Sequence, residues 1–181
     1  MVMLVLGLAL WWAAHLFKRL MPGPRLAMGD RGKGIAAIGV IVSVILMVIG
    51  YRGMGEVYVW SPPDFLRHVN NLLMLFAFYL FAASGMKTRI TGIIRHPQLA
   101  GFKTWTIAHL LVNGDLASII LFGGLLAWAV VALITINRAE PRPATPSPAP
   151  LGKEIGAVIG AVIAVGAVGG IHTWLGYNPF G

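Results

Sequence analysis

Cysteine is absent from this sequence of 181 residues, and charged side chains are scarce. The lack of cysteine excludes disulfide bonds, thiolate metal ligands, iron–sulfur clusters and cysteine nucleophiles. Charged residues make up 11% of the chain and apolar residues 57%. In soluble domains charged residues make up about 25% and apolar residues about 45–50%. A chain of 19.4 kDa cannot bury so much apolar surface away from water, so part of its solvent must be lipid.

Long apolar runs account for this composition, and most approach the about 20 residues that cross a hydrocarbon core of about 30 Å. They predict an all-α fold, a polytopic transmembrane helical bundle of about six spans. The fourth run is short and contains Lys103 and His109, so it spans only if protein surrounds it. The six runs cover residues 1–20, 35–49, 65–85, 98–112, 116–136 and 155–175.

Acidic residues number 6 and basic residues 14, which gives a formal net charge of +8. Lys18 and Arg19 follow the first apolar run and no basic residue precedes it, the reverse of a secretory signal. We therefore expect a retained first helix with its N-terminus in the periplasm. With that orientation 12 of the 14 basic residues lie on the cytoplasmic side of a bacterial inner membrane. The charge thus predicts topology, and we expect no nucleic-acid partner.

Prolines and glycines divide the chain. We expect a five-helix membrane core over 1–138, a Pro-rich cytoplasmic linker over 139–153, and a Gly/Ala-rich helix and tail over 154–181. Asn113-Gly114-Asp115 predicts a tight turn in which Asp115 caps the fifth span. In the last span the glycines at positions 152, 156 and 160 allow close approach of another helix. That helix belongs either to the same chain or to a second copy in a homo-oligomer.

Polar residues within lipid are costly and are candidates for function. Of the five histidines, His15 lies about 10 Å and His109 about 16 Å from the inner ends of their spans, at 1.5 Å per residue. We expect these two to share a layer of the membrane interior. An imidazole in a bundle either ligates a metal or haem iron, relays protons, or bonds to a neighbouring helix. His68 and His172 fall near the outer face, and His96 falls at the inner face.

The neighbours of these two histidines suit a flat apolar ligand as well as ordinary helix packing. Trp105 lies one turn before His109, and Trp11 lies one turn before His15. Arg19 lies at the inner end of the first span, where a guanidinium meets a haem propionate or anchors the helix. The sequence contains neither HExxH nor Cys-x-x-Cys-His, so a zincin site and c-type haem attachment are excluded.

Several short motifs are familiar when they are taken together. They are His15-Leu16-Phe17-Lys18-Arg19, Val48-Ile49-Gly50-Tyr51-Arg52, Asn70-Asn71-Leu72-Leu73-Met74, Arg95-His96-Pro97-Gln98 with Gly101, and Ala108-His109-Leu110-Leu111-Val112-Asn113-Gly114-Asp115. With these motifs residues 1–138 resemble the NnrU family of bacterial multi-spanning inner-membrane proteins. That family is similar to the 15-cis-zeta-carotene isomerases, membrane enzymes that use haem b to isomerise a polyene.

The resemblance implies haem b as cofactor, with His15 and His109 as the iron ligands. It also implies a role in denitrification, since members are associated with nitrite and nitric oxide reduction. The isomerases have a cysteine three residues before the second histidine, implicated in ligand exchange, and Thr106 occupies that position here.

Two hypotheses lead. In the first, the chain is a haem b protein that acts in nitrogen-oxide metabolism or isomerises a hydrophobic polyene-like substrate, with Trp105 and Arg19 beside the cofactor and its catalytic residues unknown. In the second, it is a non-enzymatic assembly or regulatory partner of a nitrite or nitric oxide reductase. Transport of a small solute through the polar residues His68, Asn70 and Asn71 is a weaker third reading, because no inverted repeat is visible.

Overall fold

The structure is a computed structural model that describes residues 1–141 and 149–180. Over these residues it is all-helical, and one isolated bridge joins Tyr58 to Asp115. The helices are α1 Val2–Leu20, α2 Pro22–Ala27, α3 Arg31–Arg52, α4 Leu66–Met86, α5 Ile90–Ile93, α6 Pro97–Val112, α7 Leu116–Ala139 and α8 Leu151–Trp174.

Five of these helices are long and apolar enough to cross a membrane, namely α1, α3, α4, α7 and α8. The predicted fourth span is α6, whose 16 residues extend about 24 Å at 1.5 Å per residue. It is shorter than the hydrocarbon core, as its sequence indicated. The prediction of an all-α, multi-pass membrane bundle is confirmed.

By their contacts, the described residues fall into two compact units. The first unit comprises Met1–Trp60 and Gly114–Ala139, and the second comprises Ser61–Asn113 and the described part of Glu140–Gly181. The first unit therefore holds α1, α2, α3 and α7, and the second holds α4, α5, α6 and α8. Residues 142–148 of the linker predicted over 139–153 lie outside the described residues.

In the first unit α1 packs against α3 and α7. Glycines let the α1 and α3 backbones approach closely, because a side chain at either would collide with the facing helix. A Cβ on Gly7 would lie 2.7 Å from the Met47 nitrogen, and one on Gly50 would overlap the backbone of Leu4. These paired positions show that α1 and α3 are antiparallel.

The start of α7 is fixed by hydrogen bonds. Asp115 Oδ1 accepts from the Ser118 backbone N–H at 2.8 Å, and Asp115 Oδ2 accepts from the Ser118 hydroxyl at 2.6 Å. The Tyr51 hydroxyl of α3 also bonds to Ser118 Oγ, at 2.9 Å. Asp115 thus caps α7, as the sequence predicted, and its partner Ser118 is fully buried.

In the second unit α4 packs against both α6 and α8. Gly101 of α6 lies against Ala77 and Leu80 of α4. Glu154 in the first turn of α8 accepts hydrogen bonds from the Tyr79 hydroxyl and, at 3.0 Å, from the Arg89 backbone N–H. The last helix is therefore packed along α4 and anchored there by a carboxylate.

Candidate histidine sites

His15 lies in α1, and its ring is held by its own helix. The His15 Nδ1 atom is 2.9 Å from the Trp11 carbonyl oxygen. A carbonyl only accepts, so Nδ1 carries the proton and donates it, and Nε2 is the nitrogen with the lone pair. This arrangement is usual for metal-ligating histidines, because the second hydrogen bond fixes the tautomer and the ring orientation.

Two tryptophans pack around the His15 ring. The ring centroids of His15 and Trp11 are 4.0 Å apart, and those of His15 and Trp128 are 4.8 Å apart. The two indoles meet edge to face at 5.2 Å. Trp128 of α7 was not among the residues predicted from the sequence. Tryptophan is enriched at membrane interfaces, so a tryptophan in the middle of an apolar span is unusual. That position was the signal in the sequence that could have identified it.

His109 lies in the last turn of α6 and is held in the same way. Its Nδ1 donates to the Trp105 carbonyl at 2.9 Å, which again leaves the lone pair on Nε2. The Trp105 ring lies 5.0 Å from the imidazole, and Phe102 lies 5.3 Å from Trp105. The Asn113 side-chain amide donates to the His109 carbonyl at 2.8 Å. The sequence-predicted pair of Trp105 and His109 is therefore in contact.

The other predicted ligand-site residue, Arg19, is half-buried in the last turn of α1, four residues after His15. His15 and Arg19 belong to the first unit, and His109 and Trp105 belong to the second. Thr106 is fully buried, and its hydroxyl donates to the Lys103 carbonyl at 2.8 Å. The position that carries a thiol in the isomerases therefore holds a hydroxyl bonded to its own helix.

The remaining histidines differ in their surroundings. His68 is exposed in the first turn of α4, and His96 is half-buried at the N-cap of α6. His172 lies in the last turn of α8 and donates from Nδ1 to the Val168 carbonyl at 2.8 Å.

A metal site built from several protein side chains is not found in the described part of the chain. Residues 1–141 and 149–180 contain no group of three or more His, Asp or Glu side chains placed to hold a metal ion. Imidazoles supply the available ligands, and an iron porphyrin needs few of them, because the macrocycle brings four nitrogens itself. Imidazole is a usual protein ligand of haem iron, so the donor chemistry of His15 and His109 would suit that cofactor.

A family model described as NnrU protein matches residues 3–179. The match includes α8, beyond the segment 1–138 that carries the motifs. No curated protein and no solved structure matches the sequence. Because the match covers nearly the whole chain, the protein belongs to the NnrU family.

Proposed function

We propose that this NnrU protein is an integral-membrane haem b-binding protein, with His15 and His109 as ligands of the iron. One observation carries the proposal. Both histidines donate Nδ1–H to the carbonyl of a tryptophan one turn earlier, and in both cases that tryptophan ring packs on the imidazole. Each imidazole is thus fixed in the tautomer that puts the lone pair on Nε2. The pairing of the two on one iron is what the resemblance implies.

Each side chain has a distinct task in this proposal. A bound haem b would supply redox and ligand-binding chemistry at its iron. The Trp11 and Trp105 carbonyls hold the imidazole protons and so raise the basicity of Nε2. The indoles of Trp11, Trp128 and Trp105 provide flat apolar surface and exclude water. Arg19 offers a guanidinium, the group that pairs best with a carboxylate such as a haem propionate.

Of the two activities that the resemblance implies, we favour a haem-linked role in nitrogen-oxide metabolism. Exchange between histidine and cysteine needs a thiolate, and this chain has none. The Thr106 hydroxyl, which occupies the cysteine position, is turned to the Lys103 carbonyl. A hydroxyl is also a far weaker iron ligand than a thiolate. Isomerisation of a hydrophobic polyene is the alternative activity, and it should be assayed beside the nitrogen-oxide role.

An absorption spectrum tests the proposal. The protein purified from haem-replete cells should show a Soret band and, after reduction, the sharp visible bands of low-spin haem b. Nitric oxide added to the reduced protein should shift the Soret band if the role in nitrogen-oxide metabolism is correct. A folded protein that stays colourless after incubation with haemin would contradict haem binding. That result would favour the second hypothesis, in which this protein is a non-enzymatic assembly or regulatory partner of a reductase.

We also propose a bacterial inner-membrane location with a periplasmic N-terminus, on the basis of the asymmetry of the basic residues. Single cysteines test it with no background, because the native chain has none. Ser61→Cys and Ala27→Cys place a thiol at exposed positions on opposite sides of the predicted membrane. In intact cells a membrane-impermeant maleimide should label Ser61→Cys and spare Ala27→Cys. The reverse labelling would show that the orientation is wrong.

A further inference from the structure

The connection between α1 and α3 in the first unit is strongly basic. Residues 18–33, which we name the basic segment, contain five basic residues and one acidic residue, an excess of four positive charges. The acidic residue, Asp30, forms an ion pair with Lys33 at 2.9 Å. Because the segment has no second carboxylate, most of its positive charge is not neutralised from within. The five basic residues are Lys18, Arg19, Arg25, Arg31 and Lys33.

The packing of α1 against α3 places the basic segment at one end of the membrane-spanning part of this unit. The two helices are antiparallel, and a Cβ on Gly39 of α3 would lie 3.4 Å from the Ala14 Cβ of α1. From this contact Lys18 lies about 6 Å and Arg31 about 12 Å toward the same end, at about 1.5 Å per residue. Residues 34–51 of α3 carry no charge, and their length of about 27 Å at the same rise approaches the hydrocarbon thickness of about 30 Å. The basic segment therefore lies at the level where acyl chains meet headgroups.

Arg25 of α2 is held close to the first turn of α3. Its Nη1 atom donates a hydrogen bond to the Gly29 carbonyl at 2.9 Å. A Cβ on Gly32 would lie 2.7 Å from the same nitrogen, so α2 folds against the start of α3 and the guanidinium lies beside the turn that contains Arg31. The bond to Gly29 uses one of the five N–H donors of the guanidinium, and the group can still bind an anion.

Apolar side chains are exposed among these basic residues. Leu26 of α2 is 79% exposed, and Leu20, Met21 and Met28 are exposed as well. Basic residues interleaved with exposed apolar residues are typical of segments that lie in the membrane interface, with their apolar side chains at the acyl boundary and their charges among the headgroups. The orientation of the chain in the membrane accounts for the sign of the charge, but not for the exposed leucines and methionines beside it.

We propose that the basic segment is a docking surface for anionic phospholipids. Lys18, Arg25 and Arg31 contact the phosphates of the headgroups, and the exposed leucines and methionines lie among the acyl chains. Charge complementarity selects this occupant, because juxtamembrane clusters of Lys and Arg attract anionic lipids over neutral ones. The inference is independent of haem, since Arg19, which the proposed function uses, is not required. It holds on whichever side of the membrane the segment lies.

The test measures which lipid lies next to the basic segment in the full chain. Ala27→Cys places a single thiol at an exposed position, and a bimane fluorophore is attached to it. The labelled chain is reconstituted in vesicles of phosphatidylcholine and phosphatidylglycerol, in which the acyl chains of one lipid or the other are brominated and quench the fluorophore on contact. The ratio of the two quenching signals gives the preference for phosphatidylglycerol. Both leaflets have the same composition, so the orientation of the chain does not affect the result.

Two double variants in the Ala27→Cys background separate the basic segment from the total charge of the chain. Lys18→Gln with Arg31→Gln removes two exposed charges of the segment, and Lys87→Gln with Lys153→Gln removes two exposed charges of the second unit as the matched control. One basic residue near an anionic surface contributes about fivefold to binding. We therefore expect the first double variant to lower the preference at least about threefold, and the control to leave it unchanged. Raising NaCl from about 0.1 M to about 1 M shortens the screening length from about 10 Å to about 3 Å and should weaken the native preference.

Four results would overturn the proposal. Equal quenching by the two brominated lipids would show that the segment does not select anionic lipid, and quenching by neither would show that it lies in water. A preference that survives Lys18→Gln with Arg31→Gln, or that both double variants lower equally, would show that these two charges do not create the surface. Lys18→Arg with Arg31→Lys keeps both charges and should keep the native preference, and a loss there would show that something other than positive charge holds the lipid.

Discussion

Replacing His109 with glycine should abolish the low-spin spectrum of the haem-loaded protein, and imidazole added to the buffer should restore it. Glycine removes the ring and leaves a space of the same size between the Trp105 ring and the rest of its surroundings. A free imidazole fits that space and brings a nitrogen ligand. The glycine itself costs at most about 1 kcal/mol of helix stability, the value for a helix interior, because His109 lies in the last turn of α6. Absorption and electron paramagnetic resonance spectra at increasing imidazole concentrations measure the loss and the recovery.

The hydrogen bond to Trp105 makes this prediction sharper. In the native chain His109 Nδ1 donates to the Trp105 carbonyl at 2.9 Å. Free imidazole regains that bond with its N–H, whereas 1-methylimidazole has no N–H to donate. Loss of such an outer hydrogen bond weakens metal binding roughly 10–100-fold. The concentration of 1-methylimidazole that restores half of the spectrum should therefore exceed that of imidazole at least about tenfold.

One control variant and two possible results test this prediction. His68→Gly makes the same substitution at an exposed position of α4, and its spectrum should equal that of the native chain. A native spectrum in His109→Gly would show that His109 is not an iron ligand. If imidazole and 1-methylimidazole restore the spectrum equally well, His109 is still an iron ligand. The hydrogen bond to the Trp105 carbonyl then does not strengthen its binding to the iron.

The membrane spans were predictable from the sequence because length and hydrophobicity alone decide whether a helix crosses lipid. The runs at 1–20, 65–85, 116–136 and 155–175 correspond closely to α1, α4, α7 and α8. The cap at Asp115 was also predictable, since a short carboxylate after Asn-Gly accepts the hydrogen bonds that open a helix. These are local properties, and each depends on no more than 21 consecutive residues.

The choice of helix partners was not predictable, because lipid and leucine are equally apolar and hydrophobicity does not select a neighbour. The contacts depend instead on shape. Gly7 and Gly50 let α1 and α3 pack closely because they carry no side chain, and Gly101 does the same for α6 against α4. The surroundings of the histidines follow from these contacts. The contact of Trp128 with His15 has no counterpart in sequence spacing.

The turn before α7 gives the second large effect, because Gly114 lies directly against another stretch of backbone. Its carbonyl accepts hydrogen bonds from the N–H groups of Val59 and Trp60, at 2.8 and 3.2 Å. Two residues later the Leu116 N–H donates to the Val57 carbonyl at 2.8 Å. A Cβ on Gly114 would overlap the Trp60 carbonyl oxygen and lie 3.1 Å from Trp60 Cδ1. The loop and the start of α7 are thus held together by contacts that require a glycine.

Gly114→Ala should therefore destabilise the protein by on the order of 3 kcal/mol, the upper end for overpacking, since the obstacle is backbone and cannot rotate away. The loop must move off the turn, and the amides of Val59, Trp60 and Leu116 should lose their protection from hydrogen exchange. The thermal unfolding midpoint in detergent and hydrogen–deuterium exchange of these amides measure the effect. Gly55→Ala is the control within the same loop, because a Cβ there meets nothing within 4 Å. If the two variants unfold at the same temperature, the bonds between this loop and α7 do not stabilise the first unit, and the cap formed by Asp115 and Ser118 must fix the start of α7 without them.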